Sequence, residues 1–287
     1  MAEPEPIALV TGANAGIGLF TALGLAGAGF RVIMVGRDAG RIERARRIVA
    51  ERAAAGTAET ALADFASLEA VRQLADTVLA RHDRLDVLVN NAGLISRTYQ
   101  VSEDGYELTV AVNHLAPFLL TNLLLDRLRS SAPSRIVTVA SQAHRGARIV
   151  PSHMVGRHDW SPLKAYRRSK LCNILFTRAL ARRLEGSGVV AACLHPGVVD
   201  TAFSNSAGRF SSLGWRIVKP FLISPEQGAS TSLFLATTAD PAAFHGAYVM
   251  NSRAVQPDPA ALDDALAEGV WQESARLVGI AADTRPA

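Results

Sequence analysis

An apolar run, Ile7–Val10, leads without a spacer into Thr11-Gly12-Ala13-Asn14-Ala15-Gly16-Ile17-Gly18. Residues Ile17–Ala28 then carry apolar side chains at helical spacing. Few folds accommodate a strand that ends in three spaced glycines and opens directly into a helix. Gly12 permits the tight turn, Gly16 lets the backbone approach a ligand, and Gly18 lets the helix pack closely on the strand. The first turn of such a helix offers unpaired N–H groups and the positive end of a dipole. A pyrophosphate answers both. The turn therefore predicts a dinucleotide site built from Gly12, Asn14, Gly16, Ile17 and Gly18, with Asn14 bonding within the turn or to a ribose-phosphate.

The rest of the chain continues the rhythm that this turn begins. Short β-type runs at Arg31–Val35, Thr57–Ala63, Leu85–Asn90, Ser134–Ala140, Val189–His195 and Ala247–Met250 alternate with helical patterns. The clearest helices are Leu68–Ala80, Tyr106–Leu128 and Tyr166–Leu184. Several strands are continuous apolar runs, as expected of parallel strands covered on both faces. The predicted fold is α/β: a Rossmann-like, doubly wound parallel sheet of about seven strands with helices on both faces. With 287 residues and 49% hydrophobic content, one domain over 1–287 accommodates it. Two segments break the rhythm, Arg145–Lys164 and Thr201–Pro225, and read as binding loops or a substrate lid over 201–225.

Composition excludes several functions. The net charge is +4, and no run of like charges marks a nucleic-acid arm or a polybasic membrane patch. The basic stretch Arg41–Arg52 is interrupted by Glu43 and Glu51 and reads as a solvated helix face. Cys172 and Cys193 are the only cysteines, too few for a disulfide framework or a zinc cluster, so no metal is expected. No run approaches the roughly 18 apolar residues of a membrane span. Met1–Pro6 lacks the features of a signal peptide. A soluble, cytoplasmic protein with a small-molecule substrate and no nucleic-acid partner is expected.

The end of the second strand selects between cofactors. An acid there would accept bonds from an adenosine ribose and favour NAD. This chain has Val35-Gly36-Arg37-Asp38, with glycine at the usual acid position and a guanidinium next, suited to a 2′-phosphate. NADP(H) is the expected cofactor. A shift of one residue would instead make Asp38 the NAD-selecting acid.

Tyr166-Arg167-Arg168-Ser169-Lys170 places a phenol and an ammonium one helical turn apart. A tyrosine hydroxyl normally titrates near 10, and a neighbouring cation favours its phenolate. The pair suits an acid/base that exchanges a proton with a carbonyl oxygen. Lysine is scarce in this chain, only Lys164, Lys170 and Lys219, which makes a lysine at this spacing less easily fortuitous. Ser141 ends the fifth strand, at the sheet edge where ligands bind, and could hold the same oxygen or merely cap its turn.

Taken together, these segments resemble the short-chain dehydrogenase/reductase family, with its Thr-Gly-x-x-x-Gly-Ile-Gly turn. The likeness covers nearly the whole chain. It is greatest to the retinol-dehydrogenase-like branch, through Val112–Leu125, Ser161–Tyr166, Ser169–Arg178 and Trp271–Gly279. The resemblance implies a catalytic set of Asn113, Ser141, Tyr166 and Lys170, with Asn113 organising a proton-relay water and Lys170 also holding the nicotinamide ribose. It implies adenine contacts at Asp64 and Phe65, and cofactor contacts at Asn90, Asn91, Ala92 and Gly93. It further places Pro196, Gly197, Val199 and Thr201 beside the nicotinamide or its phosphate. Relatives commonly form homodimers or homotetramers through long helices.

Departures matter too. Membrane-bound retinol dehydrogenases carry an N-terminal anchor, which this sequence does not show, and Ala140 stands where many relatives have a second serine. Soluble actinobacterial members of the branch include ketoreductases of polyketide-type aromatic compounds. The expected activity is reduction of a ketone on a bulky apolar or aromatic substrate. Phe203, Phe210, Leu213, Trp215, Ile217, Val218 and Phe221 would form an apolar lid, with Arg145, His153 and Trp160 on the opposite wall or simply packing the loop onto the body. Oxidation of a lipophilic alcohol, and a catalytically silent NADP(H)-binding regulator, are the alternatives.

Overall fold

A computed structural model describes residues 5–53, 55–197 and 223–282. Its sheet runs β3-β2-β1-β4-β5-β6-β7-β8, with β1 Ile7–Thr11, β2 Arg31–Gly36, β3 Ala58–Leu62, β4 Val87–Asn90, β5 Ser134–Val139, β6 Val189–His195, β7 Tyr248–Met250 and β8 Arg253–Ala254. The first seven are parallel. β8 is the addition to the seven expected strands. It is a two-residue antiparallel edge reached through Asn251 and Ser252, both at positive φ. Strand order reverses between β1 and β4, and a crevice at the carboxyl ends of the strands is the consequence.

Helices cover both faces. α1 Gly16–Gly27 and α2 Ala39–Arg52 lie on one side, α3 Leu68–Arg81 on the other. Parallel strands buried on both sides need two cores. One contains Leu25, Met34 and Val89, the other Leu9, Leu88 and Ile136. Neighbouring strand residues alternate between them, as a pleated strand requires.

The expected single helix Tyr106–Leu128 is broken. It runs as α4 Leu108–Val110, a π-helical turn Ala111–Leu115, α5 Ala116–Leu123 and α6 Leu125–Ser130. The widened turn carries Asn113 and His114, both buried and both bonded to neighbouring elements. Apolar periodicity alone does not reveal such tertiary ties. α7 Pro162–Arg183 starts four residues before the expected Tyr166, because Ser161 caps it through the Lys164 amide and Pro162 suits the first helical position.

α8 Pro225–Thr237 packs on the α1 side, and α9 Asp264–Val278 on the α7 side. Trp271 of α9 is fully buried between Phe118 and Phe176, with the Arg183 guanidinium 4.2 Å from its ring centroid. Among the described residues no helix is long and apolar enough to cross a membrane.

Candidate active site

The glycine turn is held by β4. Asn91 Nδ2 donates to Thr11 O at 2.8 Å and Gly12 O at 3.3 Å. The Asn91 and Ala92 amides both donate to Thr11 Oγ1 at 2.9 Å. Gly12 and Gly16 have φ of +66° and +56°, which a side chain would strain. A Cβ on Gly18 would collide with Gly12 O and the Asn91 amide, so this glycine serves close helix–strand packing. α1 begins at Ala15 with no side-chain cap and no acid in its first turn. Its leading N–H groups are therefore left for an anion, and a pyrophosphate fits them. The Asn14 amide makes no hydrogen bond to a described residue.

Arg37 is exposed at the carboxyl end of β2 and pairs with no described residue. Asp38 is engaged elsewhere. Its Oδ1 accepts from the Arg41 amide at 2.8 Å, capping α2, and that bond holds its carboxyl below the usual range. Gly36 is buried against Ile42, which a Cβ would approach to 3.2 Å. Asp38 is thus a helix cap through Oδ1, and Arg37 is the neighbouring group that pairs with no described residue.

Asp64 is exposed, with Oδ1 accepting from the Ala66 amide at 2.9 Å. The Phe65 ring instead turns into the core from the turn after β3 and keeps only 6% of its surface. Asn90 also turns inward, with Nδ2 donating to Thr121 Oγ1 of α5 at 2.9 Å. Its side chain ties β4 to a helix rather than facing the crevice. Gly197 has φ of +91°, and a Cβ there would collide with Ile223. Pro196 beside it is half-buried. Val199, Thr201 and the aromatic lid residues up to Phe221 lie outside the described residues.

The four expected catalytic residues come from three elements and converge at the carboxyl edge. Tyr166 and Lys170 share one face of α7, with Lys170 Nζ 5.7 Å from the Tyr166 ring centroid. Lys170 is buried, donates to Val139 O at 2.8 Å and is pushed down to about 8 by that burial. Enclosure of the Tyr166 hydroxyl pushes it up to about 12, opposed by a hydrogen bond with Ser141. The direction is opposite to the lowering expected from a neighbouring cation, and desolvation of the phenolate is its largest cause.

Ser141 caps its turn, one of the two roles expected of it, and it sits beside Tyr166. Its Oγ accepts from the Ala143 amide at 3.1 Å, capping a short 3₁₀ turn, Gln142–His144, and it also meets the Tyr166 hydroxyl. Asn113 pins the loop after β4. Its Oδ1 accepts from Leu94 N at 2.7 Å, and its Nδ2 donates to Leu94 O at 2.9 Å and Ser169 Oγ at 3.1 Å. Both amide hydrogens are engaged, so the side chain organises protein groups and has only an acceptor left for a water. A Cβ on Gly93 would lie 3.3 Å from Asn113 Oδ1 and 3.8 Å from Lys170 Nζ.

Of the two roles left open for the other irregular segment, Trp160 takes packing onto the body. Trp160 donates Nε1–H to the buried Glu107 at 3.1 Å and packs edge-on against Tyr99. A buried carboxylate draws the indole onto the body. His153 is exposed beside His158, and Arg145 reaches Gln256 O at 3.3 Å. Sequence reading overlooked Thr11 and Asn173. Thr11 organises the glycine turn, and Asn173, one turn beyond Lys170, also reaches Val139 O at 3.4 Å. A polar residue on the apolar face of a helix was the available signal.

Known proteins share these features. The model of the short chain dehydrogenase family matches residues 6–211. Human retinol dehydrogenase 13 is 40% identical over 97% of this chain and 86% of its own length. Mouse retinol dehydrogenase 14 is 40% identical over 95% and 85%. An uncharacterized protein from Mycobacterium paratuberculosis superposes with a TM-score of 0.79 at 33% identity, covering 97% of this chain and 95% of that one. A metagenomic short-chain oxidoreductase solved in complex with NADP superposes at 0.65 with 26% identity, covering 88% and 97%. With its glycine turn, serine, tyrosine and lysine gathered at one sheet edge, the chain belongs to the short-chain dehydrogenase/reductase family, in its retinol-dehydrogenase-like branch.

Proposed function

We propose that this oxidoreductase is a cytoplasmic NADPH-dependent reductase of a bulky, largely apolar carbonyl compound, with Tyr166 as its proton donor. The observation that carries the reading is the Tyr166 hydroxyl itself: enclosed, hydrogen-bonded to Ser141 and held in its protonated form up to about 12. An acid that stays protonated at neutral pH suits a developing alkoxide.

The first turn of α1 would hold the cofactor pyrophosphate, with Arg37 at the 2′-phosphate and Asp64 near adenine. When bound, the nicotinamide supplies the hydride. Lys170 retains donors for ribose hydroxyls beyond its bond to Val139 O. Ser141 Oγ accepts from Ala143 and bonds the Tyr166 hydroxyl, and a substrate oxygen placed between the two would receive the Ser141 proton in place of that bond. Asn113 keeps the Leu94 loop and Ser169 in register, and Ser169 Oγ in turn donates to Tyr166 O at 2.8 Å.

Oxidation of a lipophilic alcohol by the same groups in reverse is the second reading, favoured by relatives named as retinol dehydrogenases. Initial rates with retinal, retinol and a panel of aromatic ketones, in wild type and Tyr166→Phe, test both. Loss of about 100-fold or more in the variant is expected. Equal rates in the two proteins would falsify the mechanism.

A further inference from the structure

The turn that carries Ser141 is gripped from behind by a histidine that the proposed mechanism does not use. His144 is fully buried. Its Nδ1 lies 2.6 Å from Ser141 O, and its Nε2 lies 3.0 Å from Asp258 N. A carbonyl only accepts and a backbone amide only donates, so a single neutral tautomer satisfies both: hydrogen on Nδ1, lone pair on Nε2. Burial drives the imidazole the same way, lowering its affinity for a second proton. The Tyr248 ring packs edge-on at 5.0 Å and fixes the plane of the imidazole.

Two backbone segments meet on this ring. Ser141 O also accepts from the His144 amide at 3.2 Å, so one residue supplies both bonds to that carbonyl. On the far side Asp258 reciprocates. Its Oδ2 accepts from Gly146 N at 3.1 Å, and its Oδ1 accepts from Ala260 N at 3.1 Å. The catalytic turn and the segment after β8 are therefore locked through one imidazole and one carboxylate.

Resting on the reading of Ser141 and Tyr166 as the reacting pair, we infer that His144 is a positioning residue that sets the direction of the Ser141 hydroxyl by clamping the Ser141 carbonyl against Asp258. The peptide plane after Ser141 governs where its Oγ points. Without the imidazole the Ser141 carbonyl keeps only the longer bond from the backbone amide of residue 144, which lets that plane swing, and the hydroxyl then leaves the Tyr166 oxygen. Errors of this size in a reacting geometry are costly, since about 1 Å can cost on the order of 100-fold in rate.

Three variants separate positioning from bulk packing. His144→Phe keeps a ring against Tyr248 but has neither bond. His144→Asn places an amide hydrogen near the position of Nδ1 and can restore the Ser141 bond alone. His144→Gln places its amide near the position of Nε2 and can restore the Asp258 bond alone. Using NADPH with retinal or the aromatic ketone that the wild type reduces fastest, His144→Phe should lose about 10-fold or more in kcat. Its KM for NADPH, and NADPH affinity by fluorescence titration, should move less than about 2-fold.

His144→Asn should return to within about 3-fold of wild type, and His144→Gln should not. Melting temperatures recorded alongside show whether rate follows folding. Unchanged kcat in His144→Phe overturns the inference. So do equal losses in His144→Asn and His144→Gln that track their melting temperatures. If the phenylalanine variant does not fold, the Asn and Gln pair decides alone. Tyr166→Phe is run beside them: a wild-type rate there, or a wild type that reduces no panel member, sinks the underlying reading. A dead Tyr166→Phe beside a fully active His144→Phe sinks this inference only.

Discussion

Replacing Lys170 by methionine should make the protein more stable and nearly inactive. The ammonium is buried, and burial moves it from 10.5 to about 8. Holding it charged in the fold therefore costs about 3 kcal/mol at neutral pH. Methionine has similar length and no charge. It forfeits the bond to Val139 O, worth about 1.5 kcal/mol, although that carbonyl keeps the Asn173 amide at 3.4 Å. The net gain is about 1–2 kcal/mol, a Tm rise of roughly 2–6 °C. Loss of the cation beside Tyr166 should meanwhile cost about 100-fold or more in kcat.

The pH dependence supplies the decisive control. Below pH 8 Lys170 is charged in both folded and unfolded chains, and the cost is fully present. Between 8 and 10.5 the folded chain gives up a proton that the unfolded chain retains, so wild-type stability rises with pH. The advantage of the variant should shrink across that window. Cys172 and Cys193, each pushed up to about 12 by burial, act in the opposite sense above 9, but equally in both proteins, so the difference isolates Lys170. Thermal melts of both proteins near pH 7 and near 9.5 provide the measurement. A variant that melts below wild type at neutral pH, or a gap that does not narrow, would refute the reasoning.

Arg37→Ala should raise KM for NADPH by about 10–100-fold and leave KM for NADH unchanged, as loss of a charge-assisted phosphate contact requires; parallel changes with both cofactors would place the 2′-phosphate elsewhere. Trp271→Ala should destabilise by about 3–5 kcal/mol in urea titration, because it empties a fully buried site between α5 and α7 and removes the Arg183 contact; a loss below about 1 kcal/mol would show that α9 is not an integral part of the core.

What could be read in the sequence was what depends on near neighbours. The glycine turn announces itself because Gly12, Gly16 and Gly18 are constrained by their own backbone and by the strand they follow. Tyr166 and Lys170 meet because four residues on a helix make one face. What the sequence did not register depends on distant partners. Asn113 and His114 widen a helix into a π-turn by bonding Leu94 and Ser274, which periodicity does not register. Phe65 and Asn90 sit in the expected segments, yet both side chains turn inward, Phe65 into the core from the turn after β3 and Asn90 onto Thr121. The acidity of Tyr166 is the clearest case. Spacing reported the cation, and only the fold reported the enclosure that outweighs it.

That enclosure carries a consequence for direction. Reduction consumes protonated Tyr166 beside charged Lys170. With the phenol at about 12 and the ammonium at about 8, this state dominates at every pH below 8. The reductive kcat/KM should be flat from about pH 6 to 8 and fall as Lys170 deprotonates above it. Oxidation needs the phenolate beside the same charged lysine, a state holding only about one molecule in 10⁵ at pH 7. Its share grows about tenfold for each rise of one in pH until Lys170 titrates near 8, after which gain and loss cancel. Oxidative rates should therefore climb steeply from 6 to 8 and then level. Measuring both directions with one alcohol–carbonyl pair checks this, and an oxidation rate independent of pH over that range would mean that Tyr166 is not the group exchanging the proton. At neutral pH the burial of the two side chains thus maintains the protonation state that reduction would consume, independently of the size or shape of the substrate.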